Sequence, residues 1–344
     1  MSTVFPGAAW SRVSPREAGL DPDRLTRATA WLDDRADRRG DDHGYRFAVV
    51  RGGRLVIDQN RSIDRDEKLA TASTWKSMLS NVLGVAIAEG KLPSADAEVA
   101  DYWPAFLDVP EGTGPKPGRY AFAEDARITF RHLISNTSGY MKPGEDPGTV
   151  FHYQSWGMNV LSHAVASLYG FYDVGDPEGS DGFMRLVREK IATPIGAAWE
   201  YESGPMDLHP AAKQEIFAYG TRVRTSALDL ARAGWLWCNE GSWAGREVVP
   251  AAWMRESTRV APAIVRHCDP EDHVYGQGFW SNSEGRLWPE LPRDGFHSWG
   301  AGGHYVAVFP GEELVIVQNP DPLGVRGGAG ANPELVGLVL AACR

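Results

Sequence analysis

Ser73 and Lys76 stand three residues apart in Ser73-Thr74-Trp75-Lys76, directly before the apolar run SMLSNVLGVAIAEGKL. On a helix, residues at that spacing share a face, so the amine can reach the hydroxyl and take its proton. In the following run Leu79, Val82, Leu83 and Ala86 fall at the i, i+3, i+4, i+7 positions of a buried stripe, and Gly90 stands where a helix should stop. The pattern predicts a helix over 73–89 with Ser73 near its N-terminus. A cation in the first turn opposes the helix dipole and loses hydration beside an apolar stripe; both effects lower the lysine pKa. A serine with a neutral amine as its base is a nucleophile suited to covalent catalysis. Such a pair also arises by chance in a chain of this serine and lysine content, so its partners must appear downstream.

The elements that must position this pair are legible at both ends of the chain. Residues 44–59 read as two strands around an Arg-Gly-Gly turn, and residues 304–318 as two more around Pro-Gly. Between them the pattern is mainly helical, with helices expected over 73–89, 156–169, 181–192 and 226–240 and a last one over 332–343. Polar, Pro/Gly-rich stretches at 108–121 and 141–150 read as loops. The expected architecture is an antiparallel sheet built from both chain ends with helices packed on it. An α/β part would comprise 1–95 and 225–344, and a mainly helical part 96–224.

At 344 residues and 43% hydrophobic content the chain can bury a sizeable core, which excludes disorder. A net charge of −10 argues against a nucleic-acid backbone or an anionic membrane as partner. With no apolar leader or bilayer-length segment, a cytoplasmic location is expected. Cys238, Cys268 and Cys343 are odd in number and widely spaced, which fits unpaired thiols, and the histidines form no ligand pair, so neither a metal nor another cofactor is expected.

Two further stretches give the pair its context. ITFRHLISNTSGY is followed by a loop and by Tyr153-Gln154-Ser155 at the head of a helical run, and FHSWGAGGHYVAVFPGEELVIV carries Ser298-Trp299-Gly300. With the Ser73 motif, and with YGTRVRTSALDLARAG between them, these resemble in order the segments of the serine β-lactamase and penicillin-binding-protein superfamily. The likeness is to its class C-like branch of esterases and nylon-oligomer hydrolases, and it covers nearly the whole chain. The resemblance implies a β-lactamase/transpeptidase-like fold, Ser73 as the acylated nucleophile, Lys76 as its base and Tyr153 as a second proton carrier, able to hold phenolate character beside the amine. It also implies an oxyanion hole from the backbone N–H groups of Ser73 and Ala301, which needs no particular side chain. Ser155 replaces the family's asparagine and is assigned an auxiliary, substrate-side role.

The third motif departs most. Ser298 and Trp299 stand where the family has lysine and threonine, and only Gly300 is kept, so carboxylate recognition from this strand is in doubt. His297 and Arg224 are candidate replacement cations, with a structural or solvent-facing role the simpler reading of each. A tryptophan sits in or beside every motif: Trp75, Trp156 and Trp299. Such rings can wall an apolar pocket or simply fill the core, and a cleft-facing role is expected of Trp299 in particular. The expected substrate is an ester or amide, neutral or hydrophobic near the scissile bond. Acyl transfer from the same acyl-enzyme, β-lactamase or DD-peptidase activity, and a catalytically silent ligand-binding relative are the alternatives.

Overall fold

The computed structural model describes residues 3–39, 44–202, 208–320 and 332–343. Its main sheet has six strands in the spatial order Arg54–Arg61, Tyr45–Arg51, Leu314–Gln318, His304–Phe309, Phe296–Gly300 and Trp280–Ser281, and every pairing in it is antiparallel. The first hairpin is β1 (Tyr45–Arg51) and β2 (Arg54–Arg61), turning at Gly52-Gly53. Three short strands follow, β3 (Leu69–Ala70), β4 (Glu200–Glu202) and β5 (Arg222–Thr225), which form a separate sheet in the order β3-β5-β4. A two-stranded ribbon, β6 (Ser242–Trp243) and β7 (Arg246–Glu247), precedes the return to the main sheet through β8 (Trp280–Ser281), β9 (Phe296–Gly300), β10 (His304–Phe309) and β11 (Leu314–Gln318). The sheet is thus built from both chain ends, as the sequence leads one to expect.

Strand alternation sends side chains into two cores. On β11, Leu314 and Ile316 join the outer core, where α1 (Pro22–Arg39) packs against the C-terminal helix through Leu25, Ala28 and Leu32 facing Leu335, Val336 and Val339. Val315 and Val317 point the other way into the larger core. There sits α2 (Trp75–Ala88), preceded by a 3-10 turn over Ala72–Thr74. Packed around it are α3 (Phe130–Ile134), α4 (Trp156–Ser167), α5 (Gly182–Leu186), α6 (Gln214–Phe217), α7 (Ala227–Cys238) and α8 (Ala251–Ser257). α9 (Pro262–His267) precedes β8, and α10 (Pro333–Ala341) is the last helix of the described residues.

Three sequence expectations need correction. The segment 181–192 is α-helical only to Leu186 and continues as a π-helical turn over Val187–Ala192. The middle of the chain, expected to be mainly helical, also contributes the short strands β4 and β5, which were not expected. And α2 has no one-sided stripe: every residue from Trp75 to Ala86 is buried. Its polar groups are satisfied internally, with Trp237 Nε1 donating to Asn81 Oδ1 at 2.7 Å and Trp253 Nε1 to the Ser80 carbonyl at 2.8 Å. Gly84 is required there, because a Cβ would lie 2.3 Å from the Trp253 ring. A helix enclosed on all sides is a rigid mount for whatever its first turn carries.

Candidate active site

Ser73 sits in the 3-10 turn ahead of α2, fixed by neighbours on both sides. Thr71 donates its backbone N–H to the Val223 carbonyl at 3.0 Å, which ties the turn to β5. Ala72 is held at φ 47°, a left-handed conformation that costs a side-chain-bearing residue about 1–2 kcal/mol. On the other flank β9 ends against the turn. A Cβ on Gly300 would lie 2.0 Å from the Thr71 oxygen and 3.0 Å from the Ser73 nitrogen, so only glycine allows this approach. Ala301, the next residue, is exposed and leads into the turn before β10.

Lys76 Nζ lies 3.0 Å from Ser73 Oγ, 3.1 Å from Tyr153 Oη and 3.2 Å from Ser155 Oγ. Three residues from two distant parts of the chain therefore converge on one amine. Lys76 is 1% exposed, and among the described residues no carboxylate pairs with it. Burial pushes its pKa down from 10.5 to about 7, so near neutral pH much of the amine is unprotonated.

The Tyr153 loop is held by the LISNTSG segment. Asn136, at φ 57°, accepts the His152 N–H on its carbonyl at 2.9 Å and the Gln154 N–H on its side chain at 3.1 Å. The Tyr153 ring packs against Tyr275 and Trp280, with centroids 5.7 and 5.2 Å away. Burial raises its hydroxyl to about 12, against a smaller opposing pull from the Ser73 hydrogen bond. The phenolate character that the resemblance allows Tyr153 is therefore not its resting form, and the phenol has a proton to give.

A cavity of about 290 Å³ opens beside Ser73, lined by Ala70, Ala72, Trp75, Ser155, Asn159, Gly220, Thr221 and Arg222. A second, of about 300 Å³, is lined by Tyr153, Gln154 and Trp156 together with Lys116, Arg119, Lys142 and His152. The three tryptophans thus part ways: Trp75 lines the first cavity, Trp156 the second and Trp299 neither. Ser298 Oγ donates to the Thr74 carbonyl at 3.2 Å, on the same face as Gly300. Alternation turns Trp299 to the opposite side, half-buried between the outer core and the Tyr275–Trp280 cluster.

Neither candidate cation serves the site. His297 is fully buried, stacked on Trp288 with centroids 5.0 Å apart, and burial pushes its pKa down to about 3. Arg224 is engaged by Glu202 at 2.7 Å and by the Lys68 carbonyl at 2.8 Å. The residue that reaches the first cavity is Arg222, two positions earlier on β5. Asn159, four residues after Ser155 on α4, lines the same cavity, and its spacing from Ser155, which places both on one helix face, is the signal that could have found it.

Comparison with known proteins agrees with the fold. A family model described as Beta-lactamase matches residues 32–318. The chain belongs to the beta-lactamase family. That family is in general one of serine hydrolases. Among solved structures, the beta-lactamase family member resembles a family VIII carboxylesterase at 20% identity and TM-score 0.66, covering 94% of this chain and 98% of that one. A penicillin-binding protein homologue from Caulobacter crescentus matches at 17% identity and TM-score 0.62, covering 94% and 99%. A hydrolase with promiscuous acyltransferase activity, EstCE1, matches at 14% identity and TM-score 0.62, covering 93% and 98%. A search of curated proteins found no match. Among the described residues no group of three or more potential ligands could hold a metal, and no helix is long and apolar enough to cross a membrane.

Proposed function

We propose that this chain cleaves an ester or amide bond through an acyl-enzyme on Ser73. The observation that carries the reading is the single buried amine of Lys76 within hydrogen-bond reach of Ser73, Tyr153 and Ser155. A neutral Lys76 accepts the Ser73 proton as Oγ attacks the substrate carbonyl, and the N–H groups of Ser73 and Ala301 receive the developing oxyanion. When the tetrahedral intermediate collapses, Tyr153 donates its phenolic proton to the leaving alcohol or amine. The Lys76 ammonium, 3.1 Å away, returns a proton to the phenolate, so one proton has passed from Ser73 to the leaving group. Water then enters, gives a proton back along the same path and releases the acid.

The first cavity supports a substrate that is neutral or hydrophobic near the scissile bond, since Ala70, Ala72, Trp75 and Gly220 line it with Ser73 and Arg222 is the one charged residue of its lining. With serine and tryptophan at the family's lysine and threonine positions, β9 supplies no cation for a β-lactam carboxylate. We expect wild type to turn over p-nitrophenyl butanoate well ahead of nitrocefin, and a fluorophosphonate probe to add one mass adduct. Ser73→Ala should lose both the adduct and the turnover. An equal adduct on the variant removes Ser73 as nucleophile, and comparable turnover of nitrocefin removes the substrate assignment. Addition of a small alcohol, with ester product read by mass, separates hydrolysis from acyl transfer.

A further inference from the structure

The second cavity has a charge character that the chain as a whole does not predict. The protein carries a net charge of −10, yet Lys116, Arg119, Lys142 and His152 all line this one space. Glu145 is the acid that answers them, bonding His152 Nε2 at 3.0 Å and lying 3.4 Å from Lys142. Arg119 donates to the Met141 carbonyl at 3.2 Å, and among the described residues neither Arg119 nor Lys116 has a carboxylate partner. Set against Glu145 and against Asp125, whose carboxylate accepts the N–H of the lining Met141, the three permanent cations leave an excess of one positive charge around a cavity of about 300 Å³. Such an excess in a concave site raises the local concentration of anions. The wall nearest the chemistry is Tyr153, whose hydroxyl bonds Lys76, and Trp156 supplies a flat apolar surface beside it.

From this we infer that the second cavity is an anion subsite for the leaving-group side of the substrate, taking a carboxylate held some atoms away from the scissile bond, with Arg119 and Lys116 as its charged contacts. The inference rests on the acyl-enzyme reading, because Tyr153 delivers its proton to the leaving group and so places that group on the cavity's side. It refines the substrate class to an ester or amide that is apolar where it is cut and acidic at its far end. A guanidinium beside an ammonium suits a carboxylate, and the aromatic floor suits the apolar spacer before it. The lysine lost from β9 is thus replaced in charge, though not in place, by residues of the 116–119 loop.

The test compares two butanoate esters with the same skeleton, one of 3-hydroxybenzoic acid and one of its methyl ester. The readout is the ratio of their kcat/KM values, acid over methyl ester, so that differences in leaving-group acidity cancel between protein variants. Lys116→Gln with Arg119→Gln should lower that ratio about tenfold, mainly through KM of the acid. Lys116→Gln alone, a change at an exposed side chain, should lower it about threefold. Raising salt from about 20 mM to about 0.5 M should lower the ratio in wild type and leave it flat in the double variant. A ratio unchanged by both substitutions, or a wild-type ratio indifferent to salt, overturns the subsite. Calorimetric binding of the acid ester to Ser73→Ala keeps the two readings apart. Absence of turnover of both esters in wild type sinks the hydrolase reading, whereas equal affinity of Ser73→Ala with and without the double substitution sinks the subsite.

Discussion

Lys76 and His297 are two buried bases whose pKa values are depressed by the same cause, loss of water, and they end in opposite circumstances. Lys76 Nζ faces three hydroxyls at 3.0 to 3.2 Å, two of which, those of Ser73 and Ser155, belong to residues that line a cavity with Ala70, Trp75 and Gly220. His297 lies between Trp288 and Trp280, and neither ring nitrogen makes a full hydrogen bond. His163 repeats the second pattern, stacked on Tyr172 with centroids 4.0 Å apart and pushed down to about 3. A shifted pKa alone therefore does not mark a site; a shifted group with exchangeable partners and access to a cavity does.

The strongest way to break this contrast is to remove the amine. Lys76→Met keeps the side-chain volume and deletes the base, and should lower kcat/KM for a neutral ester about 10³-fold. In wild type the same base should impose a pH profile: kcat/KM rises with pH through about 7 and is level above it, because only the neutral amine accepts the Ser73 proton. Stability carries the matching sign. Between the folded value near 7 and the unfolded value near 10.5 the unfolded chain binds more protons, so wild type gains stability relative to Lys76→Met as pH rises across that window. Parallel urea titrations at about pH 7 and about pH 9 measure the difference; a gap that does not narrow with pH means that Lys76 is not desolvated as described.

Tyr153→Phe sharpens the division of labour on the catalytic side. The ring contacts with Tyr275 and Trp280 are kept and only the hydroxyl is lost, so the expected fall is about 10²-fold, in both acylation and deacylation. Pre-steady-state burst kinetics separate the two phases. A loss confined to one of them would assign the other proton transfer to Lys76 alone.

How much of this contrast was visible in the sequence follows from the range of the interactions. The Ser73–Lys76 pair, the hairpins and α4 are local patterns, and the two strand pairs were read from turn residues and alternation. Tyr153 entered through family resemblance, since nothing in spacing brings residue 153 to residue 76. The three-stranded sheet went unread because its strands are two to four residues long and join Ala70 to Arg224, with too little alternation to show a period. The same brevity hides the difference between Arg222 and Arg224: which of two alternate arginines meets a cavity depends on what covers the ends of β5. Trp299, by contrast, is expected from its motif to face the cleft and lines neither cavity, and the reason is present in the strand pattern. Once Gly300 is set against the Ser73 turn, period-two alternation sends Trp299 to the other face. The stripe Leu25, Ala28, Leu32 on α1 was present as well, but diluted by arginine and aspartate on the remaining faces.

The smallest expected effect on activity belongs to His297. His297→Leu is close to isosteric and removes two ring nitrogens without full hydrogen-bond partners, so kcat/KM at neutral pH should stay within about twofold of wild type and stability should hold or rise by about 1 kcal/mol. The informative change lies at acid pH. The folded imidazole titrates near 3 and the unfolded one near 6.5, so between those values the unfolded state binds the extra proton and wild type loses stability as pH falls. One group at full slope contributes about 1.4 kcal/mol per pH unit, and His163 contributes a second such term. Denaturant titrations from about pH 7 down to about pH 4.5 should therefore show His297→Leu losing stability less steeply than wild type, by up to one proton's worth. An unchanged acid slope would mean that His297 is hydrated in the native state, and a tenfold loss of turnover at neutral pH would move it from the aromatic packing of the sheet into the chemistry at Ser73.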